Sequence, residues 1–148
     1  MAELKLLVDR LDRALEAGQA EGQVLAQDAV WNLSQTVQHC AQSIGYSVTG
    51  YPALKPAWLR ATVGRTVKKI FLKRGTMKHS LDAPLEGAPP LDPAMPAEEA
   101  TRRLRTAIDT FTAHAGPHQP HPMYGLCTHE EYAQLHSMHL EEHLPGLE

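Results

Sequence analysis

The chain has 148 residues, 43% of them hydrophobic and 21% charged, with a net charge of −3. This is an ordinary composition for one globular domain, residues 1–148, large enough to bury a core. The mild acidity argues against a general nucleic-acid or membrane-surface binder. No stretch approaches the roughly 20 apolar residues of a membrane span, and the opening "MAELKLLVDRLDRALEAG" is expected to be neither a signal nor a transit peptide. Two cysteines, Cys40 and Cys127, are too few for a disulfide framework, and reduced thiols in a cytoplasmic protein are expected.

Leu4, Leu7, Leu11 and Leu15 recur at helical spacing and predict a helix over about residues 2–17, with Gly18 as its C-cap. "QAEGQVLAQDA" reads as a connector. Asn32, with Gln35 three residues on, forms a capping box for a second helix. Its apolar stripe is Leu33, Val37, Cys40, Ala41, Ile44 and Val48, and Gly50 and Pro52 end it. Pro56 opens a third helix, for which Leu59, Val63, Val67 and Ile70 are the expected core face and Gly75 the end. The segment "TMKHSLDAPLEGAPPLDPAMP", with five prolines in 21 residues, is long for a loop in a compact domain. It either folds over a cleft or is a packed surface excursion. Pro96 starts a fourth helix, buried through Ala100, Leu104, Ala107, Ile108 and Phe111. A second Pro/Gly-rich connector follows, and then a capping box of Thr128 and Glu131 opens a fifth helix. No strand or repeat is apparent, so the fold class is all-α: four principal helices, one additional helix and a long Pro-rich loop.

The fifth helix holds three of the nine histidines within "LHSMHLEEHL". Tyr132, Leu135, His136, His139 and His143 share one side of it. His139 and His143, four apart, bring their Cβ atoms within roughly 5–6 Å, close enough for two imidazoles to meet one cation at about 2.0–2.1 Å each. The plainer alternative is a pair of half-buried histidines hydrogen-bonded to neighbours. A third ligand has to come from another helix, and His39 is the candidate, although its wheel position beside Gln35, Gln42, Ser43 and Tyr46 also suits a solvated polar face.

Trp31 followed by His39, a middle segment and a terminal "HLEEHL" together resemble the DinB-like four-helix bundle superfamily. "SIGYSVTGYPALKP", "HPMYGLCTHEEY" and "LHSMHLEEHL" look like a branch of it described only as a domain of unknown function. The resemblance covers roughly residues 28–144. It implies a divalent metal held by His39, His139 and His143, with zinc or nickel foremost and iron or manganese as alternatives. It further implies a thiol-dependent transferase, isomerase or hydrolase-like activity on a small molecule, with a low-molecular-weight thiol as partner, in a homodimer. The alternative is a metal-containing bundle that binds without catalysing. Where relatives often have a further histidine, this chain has Glu142. That carboxylate is either an acceptor behind a ligating imidazole or, more plainly, a solvated helix charge. Tyr132 and His136 are candidate pocket residues, and His136 could act as a base near neutral pH. Whether His79, His121 and His136 reach the site is open.

A basic run on and after the third helix, from Arg60 to Lys78, raises binding of nucleic acid or another anion. Its charges spread around the helix and stacking aromatics are scarce, so a solvated face is expected, with no nucleic-acid or membrane partner.

Overall fold

The computed structural model describes residues 2–147. Helix α1 (Ala2–Glu16) buries Leu4, Leu7, Val8, Leu11 and Ala14. Its end is a Schellman motif: Gly18 adopts φ 65°, its amide donates to Leu15, and that of Gln19 donates to Ala14. The stretch expected to be plain connector contains one helical turn, α2 (Glu21–Val24), which pins Val24 into the core. Helix α3 (Leu33–Thr49) starts where the capping box places it. Asn32 Oδ1 accepts from the Gln35 amide at 2.8 Å and Gln35 Oε1 accepts from the Asn32 amide at 3.1 Å. Helix α4 runs over 57–74, passing through a wider π turn at Arg60–Gly64. Helices α5 (Ala97–Ala113) and α6 (His129–His143) follow, and a final 3-10 turn, Pro145–Leu147, closes the chain against α2. The described residues contain no strand, only an isolated bridge between His121 and Gly125. Among the described residues no helix is long and apolar enough to cross a membrane.

Four helices, α1, α3, α5 and α6, enclose the core, with α3 packed most closely on α5. Leu11, Val37, Cys40, Leu104, Ile108, Phe111, Tyr132 and Leu140 are essentially inaccessible.

Helix α4 departs from the expectation. Leu59, Val63, Val67 and Ile70 do not form a core face, and Val63 and Ile70 are 49% and 46% exposed. The residues turned inward are Gly64 and Lys68. A Cβ on Gly64 would lie 1.8 Å from the Met123 carbonyl oxygen, so only glycine lets the helix approach the 122–126 turn. Lys68 Nζ donates to the Leu126 carbonyl at 2.9 Å and to Glu131 at 2.8 Å. The extra residue of the π turn shifts the register, and the apolar stripe is carried outward.

The Pro-rich loop folds over the polar face of α3. Asn32 Nδ2 donates to the Pro93 carbonyl, Gln38 Nε2 to that of Asp92, and Gln42 Nε2 to that of Pro89, at 2.8–3.0 Å. The amide of Asp92 returns a bond to Gln38 Oε1. Prolines offer carbonyls without amides, and the Asn and Gln side chains supply the missing donors. Helix α3 is therefore buried on both of its faces.

Candidate metal centre

His39 stands in the middle of α3 under this loop and is 3% exposed. Its burial excludes the solvated-face alternative. His139 and His143, one turn apart on α6, face it, and their ring centroids lie 4.8 Å from each other and 5.1 Å from His39. Nε2 of His39 and Nε2 of His139 approach to 3.2 Å. The loop brings in a fourth imidazole, His79, whose ring lies 4.8 Å from His139 and 5.1 Å from His143. One ring nitrogen from each of the four falls within 4.8 Å of all the others. Trp31 seals one side, its ring 5.0 Å from His39 and stacked at 6.3 Å on His143.

His79 has no signal in local periodicity. Its only trace in the sequence is membership of an unusually long loop, whose path is fixed by bonds to α3 that no local pattern announces. Glu142 explains how the loop histidine is held. Its carboxylate accepts the His79 backbone amide at 2.8 Å and, through its other oxygen, the His79 Nδ1–H. Glu142 is thus not a solvated helix charge. With Nδ1 committed to Glu142, Nε2 is the nitrogen of His79 left to meet a cation.

His39 Nδ1, His79 Nε2 and His143 Nε2 are buried with no hydrogen-bond partner among the described residues. Unpaired buried polar atoms are uncommon and costly, and His79 Nε2 and His143 Nε2, beside the facing Nε2 atoms of His39 and His139, mark a place where a further group fits. Burial, and then the charge of His79, pushes His39 down to about 4. Burial, followed by His39 and His79, pushes His143 down to about 3. His139 is lowered by the same causes. These rings are neutral at physiological pH and their lone pairs are available. Cys40 does not join them: it lies in the core, where burial pushes its thiol up to about 12.

One side of the cluster opens on a cleft of about 400 Å³, whose wall includes His39, His79 and His139 but not His143. Met77, Leu85, Met123, Tyr124 and Leu135 supply apolar lining, and Lys55, His121, Tyr132 and His136 add polar groups. His121 Nδ1 accepts amides from Met123 and Tyr124 at 3.1 Å, so its proton sits on Nε2; burial pushes this ring down to about 3. Ser47 Oγ donates to the Ile44 carbonyl and accepts from His136 Nε2–H at 3.1 Å, leaving Nδ1 as the basic nitrogen of His136. Tyr132 donates its hydroxyl to the Gln119 carbonyl at 2.7 Å. His136 and Tyr132 thus reach the cleft but stand outside the four-histidine cluster.

The family described as "Protein of unknown function (DUF1569)" matches residues 3–148. The chain belongs to it. No curated protein and no solved structure matches. The family description assigns no chemistry, so the chemistry has to be read from the cluster and its cleft.

Proposed function

We propose that this member of the family is a metal-dependent enzyme acting on a small molecule, with His39, His79, His139 and His143 as ligands of a divalent cation. The observation that carries the proposal is the convergence of four imidazoles, two with an orphaned buried Nε2, on the wall of an open cleft. Imidazole nitrogen donors suit zinc, nickel, iron or copper better than magnesium or calcium. When bound, such a cation supplies Lewis-acid activation and stabilises a thiolate or another anionic nucleophile.

The chain's own residues supply the rest. Glu142 fixes the tautomer and aim of His79. His121 offers an N–H from a buried neutral ring, and His136, kept neutral by burial and bonded to Ser47, adds a fixed polar group to the cleft wall. The apolar lining excludes water from the reacting group. The resemblance to DinB-like bundles supports thiol-dependent transfer or isomerisation as the reaction class, with a low-molecular-weight thiol as co-substrate.

A second reading, a non-catalytic metal-containing binding protein, is favoured by the fourth histidine, because four protein ligands can close a tetrahedral site. Metal content by mass spectrometry on the parent and on a His39→Ala/His143→Ala variant tests the site. About one metal per chain in the parent and none in the variant is expected; a folded parent that takes up no metal overturns both readings. Cobalt substitution separates them. A thiol-dependent change in the cobalt spectrum is expected of an accessible site, and an unchanged spectrum at saturating thiol favours the closed one.

A further inference from the structure

Helix α4 carries a second feature, unconnected with the histidines in sequence. In an α-helix, residues five apart point about 140° away from each other at ~100° per residue. Within the π turn the Arg65 amide donates back to the Arg60 carbonyl, a bond that nearly closes one turn on residues five apart. Arg60 and Arg65 are therefore brought to one face. Both line a pocket of about 440 Å³ between α4 and the 122–126 turn, floored by Ala57 and Ala61 and walled by Tyr124 and Leu126.

The electrostatics point the same way. From residue 29 to residue 81 the chain has no Asp or Glu and carries eight of its 14 Lys and Arg residues, while all 17 acidic residues lie outside that span. Lys68, on the pocket wall, is neutralised by Glu131 and pins the turn. Arg60 is aimed but not consumed: Nε donates to the Lys55 carbonyl at 2.9 Å, and its two terminal nitrogens have no partner among the described residues. Arg65 makes no hydrogen bond or ion pair among the described residues and feels Glu131 only at a distance. Two uncommitted guanidinium groups lining one concave site offer the charge and the forked donors that a phosphate dianion takes. Tyr124 lines both this pocket and the histidine cleft, so the two are separated by little more than one side chain.

We propose that the Arg60/Arg65 pocket binds the phosphate group of a small organic phosphate whose remaining portion extends past Tyr124 toward the histidines. The second half of this statement rests on the metal-centre reading above; the first does not.

The test is calorimetric titration of the full chain, stripped of metal, with inorganic phosphate and with phenyl phosphate. One site per chain is expected, with phenyl phosphate at least about tenfold tighter because its ring gains the apolar wall. Arg60→Gln and Arg65→Gln are each expected to weaken binding at least about tenfold. Arg65→Gln removes no bond within the protein, so it reports on the pocket even if Arg60→Gln disturbs the start of the helix. Lys69→Gln, one turn beyond Arg65 and outside the lining of this pocket, is expected to change binding less than about twofold.

No saturable heat, equal losses in all three cation variants, or an oligonucleotide that competes more tightly and depends on Lys69 overturns the pocket. Equal affinity for the two phosphates overturns the two-part ligand. Phosphate binding in a chain that takes up no metal upholds the pocket and removes the metal reading alone.

Discussion

Glu142 and His79 carry the most chemistry per atom in the structure. An imidazole on a loop is a poor ligand unless something fixes its rotation, because ordering a loop side chain costs entropy. Glu142 fixes it through two bonds, one to the ring and one to the backbone of the same residue. Glu142→Gln keeps the size and loses the charge, and partners of this kind typically change metal affinity 10–100-fold. We expect a drop of about tenfold or more, measured by competition with a chromophoric chelator, with the thermal midpoint of the metal-free protein little altered. Buried histidines away from the cluster set the acid behaviour. Burial holds His121 and His136 down at about 3 in the folded state, against about 6.5 unfolded. Below pH 6.5 the unfolded chain binds protons that the native protein refuses. Their stabilising contribution is complete above pH 6.5 and lost as the pH falls toward 3. Each such group contributes up to about 1.4 kcal/mol per pH unit in that window. Urea unfolding of metal-free protein should therefore give clearly lower stability at pH 5 than at pH 7, and His136→Gln should flatten the dependence.

Helix α4 tests how far an apolar pattern specifies packing. Leu59, Val63, Val67 and Ile70 are spaced as a core stripe, yet Gly64 and Lys68 face the protein. The stripe failed as a guide because two non-local facts outrank it: the 122–126 turn needs a residue without Cβ beside it, and a π turn changes the register midway. Neither is visible in α4 alone. Gly64→Ala is accordingly expected to cost about 2–4 kcal/mol, as overpacking against rigid backbone does, while Ile70→Ser should cost less than about 0.5 kcal/mol. Chemical denaturation of the two variants decides this, and the reverse order would mean that α4 packs by its stripe after all. The other long helices were legible because their determinants are local. Asn32 with Gln35, and Thr128 with Glu131, cap α3 and α6 through contacts three residues apart, and the leucines of α1 need only a periodicity.

At the scale of the molecule, the candidate centre joins parts of the chain that local packing leaves independent. His39 belongs to α3, His139 and His143 to α6, and His79 to a loop whose other anchors are side-chain bonds to α3. His139 and His143 could be paired from sequence because they lie one turn apart, whereas His39 is joined to them only by the family resemblance, since its wheel position suits a solvated polar face equally well. The loop member and its carboxylate could not be paired, since they stand 63 positions apart and the chain between them must fold first. A cation at this junction would act as a clip holding loop, α3 and α6 together, binding the native state and not the unfolded chain. Linkage then requires stabilisation that grows with free metal: about 2.7 kcal/mol at a hundred times the dissociation constant. For a domain of this size that corresponds to a rise of about 5–10 °C in the thermal midpoint, reversed by a chelator. The rise should be abolished in His39→Ala, which removes a helix-borne ligand. It should shrink without vanishing in His79→Ala, which leaves the three helix-borne ligands on their scaffold. If His79→Ala instead loses the whole rise, the loop histidine is an obligatory ligand and the clip fails with it. If zinc, nickel and cobalt all leave the parent's midpoint unmoved, the four imidazoles do not hold a metal, and their orphaned nitrogens need another explanation.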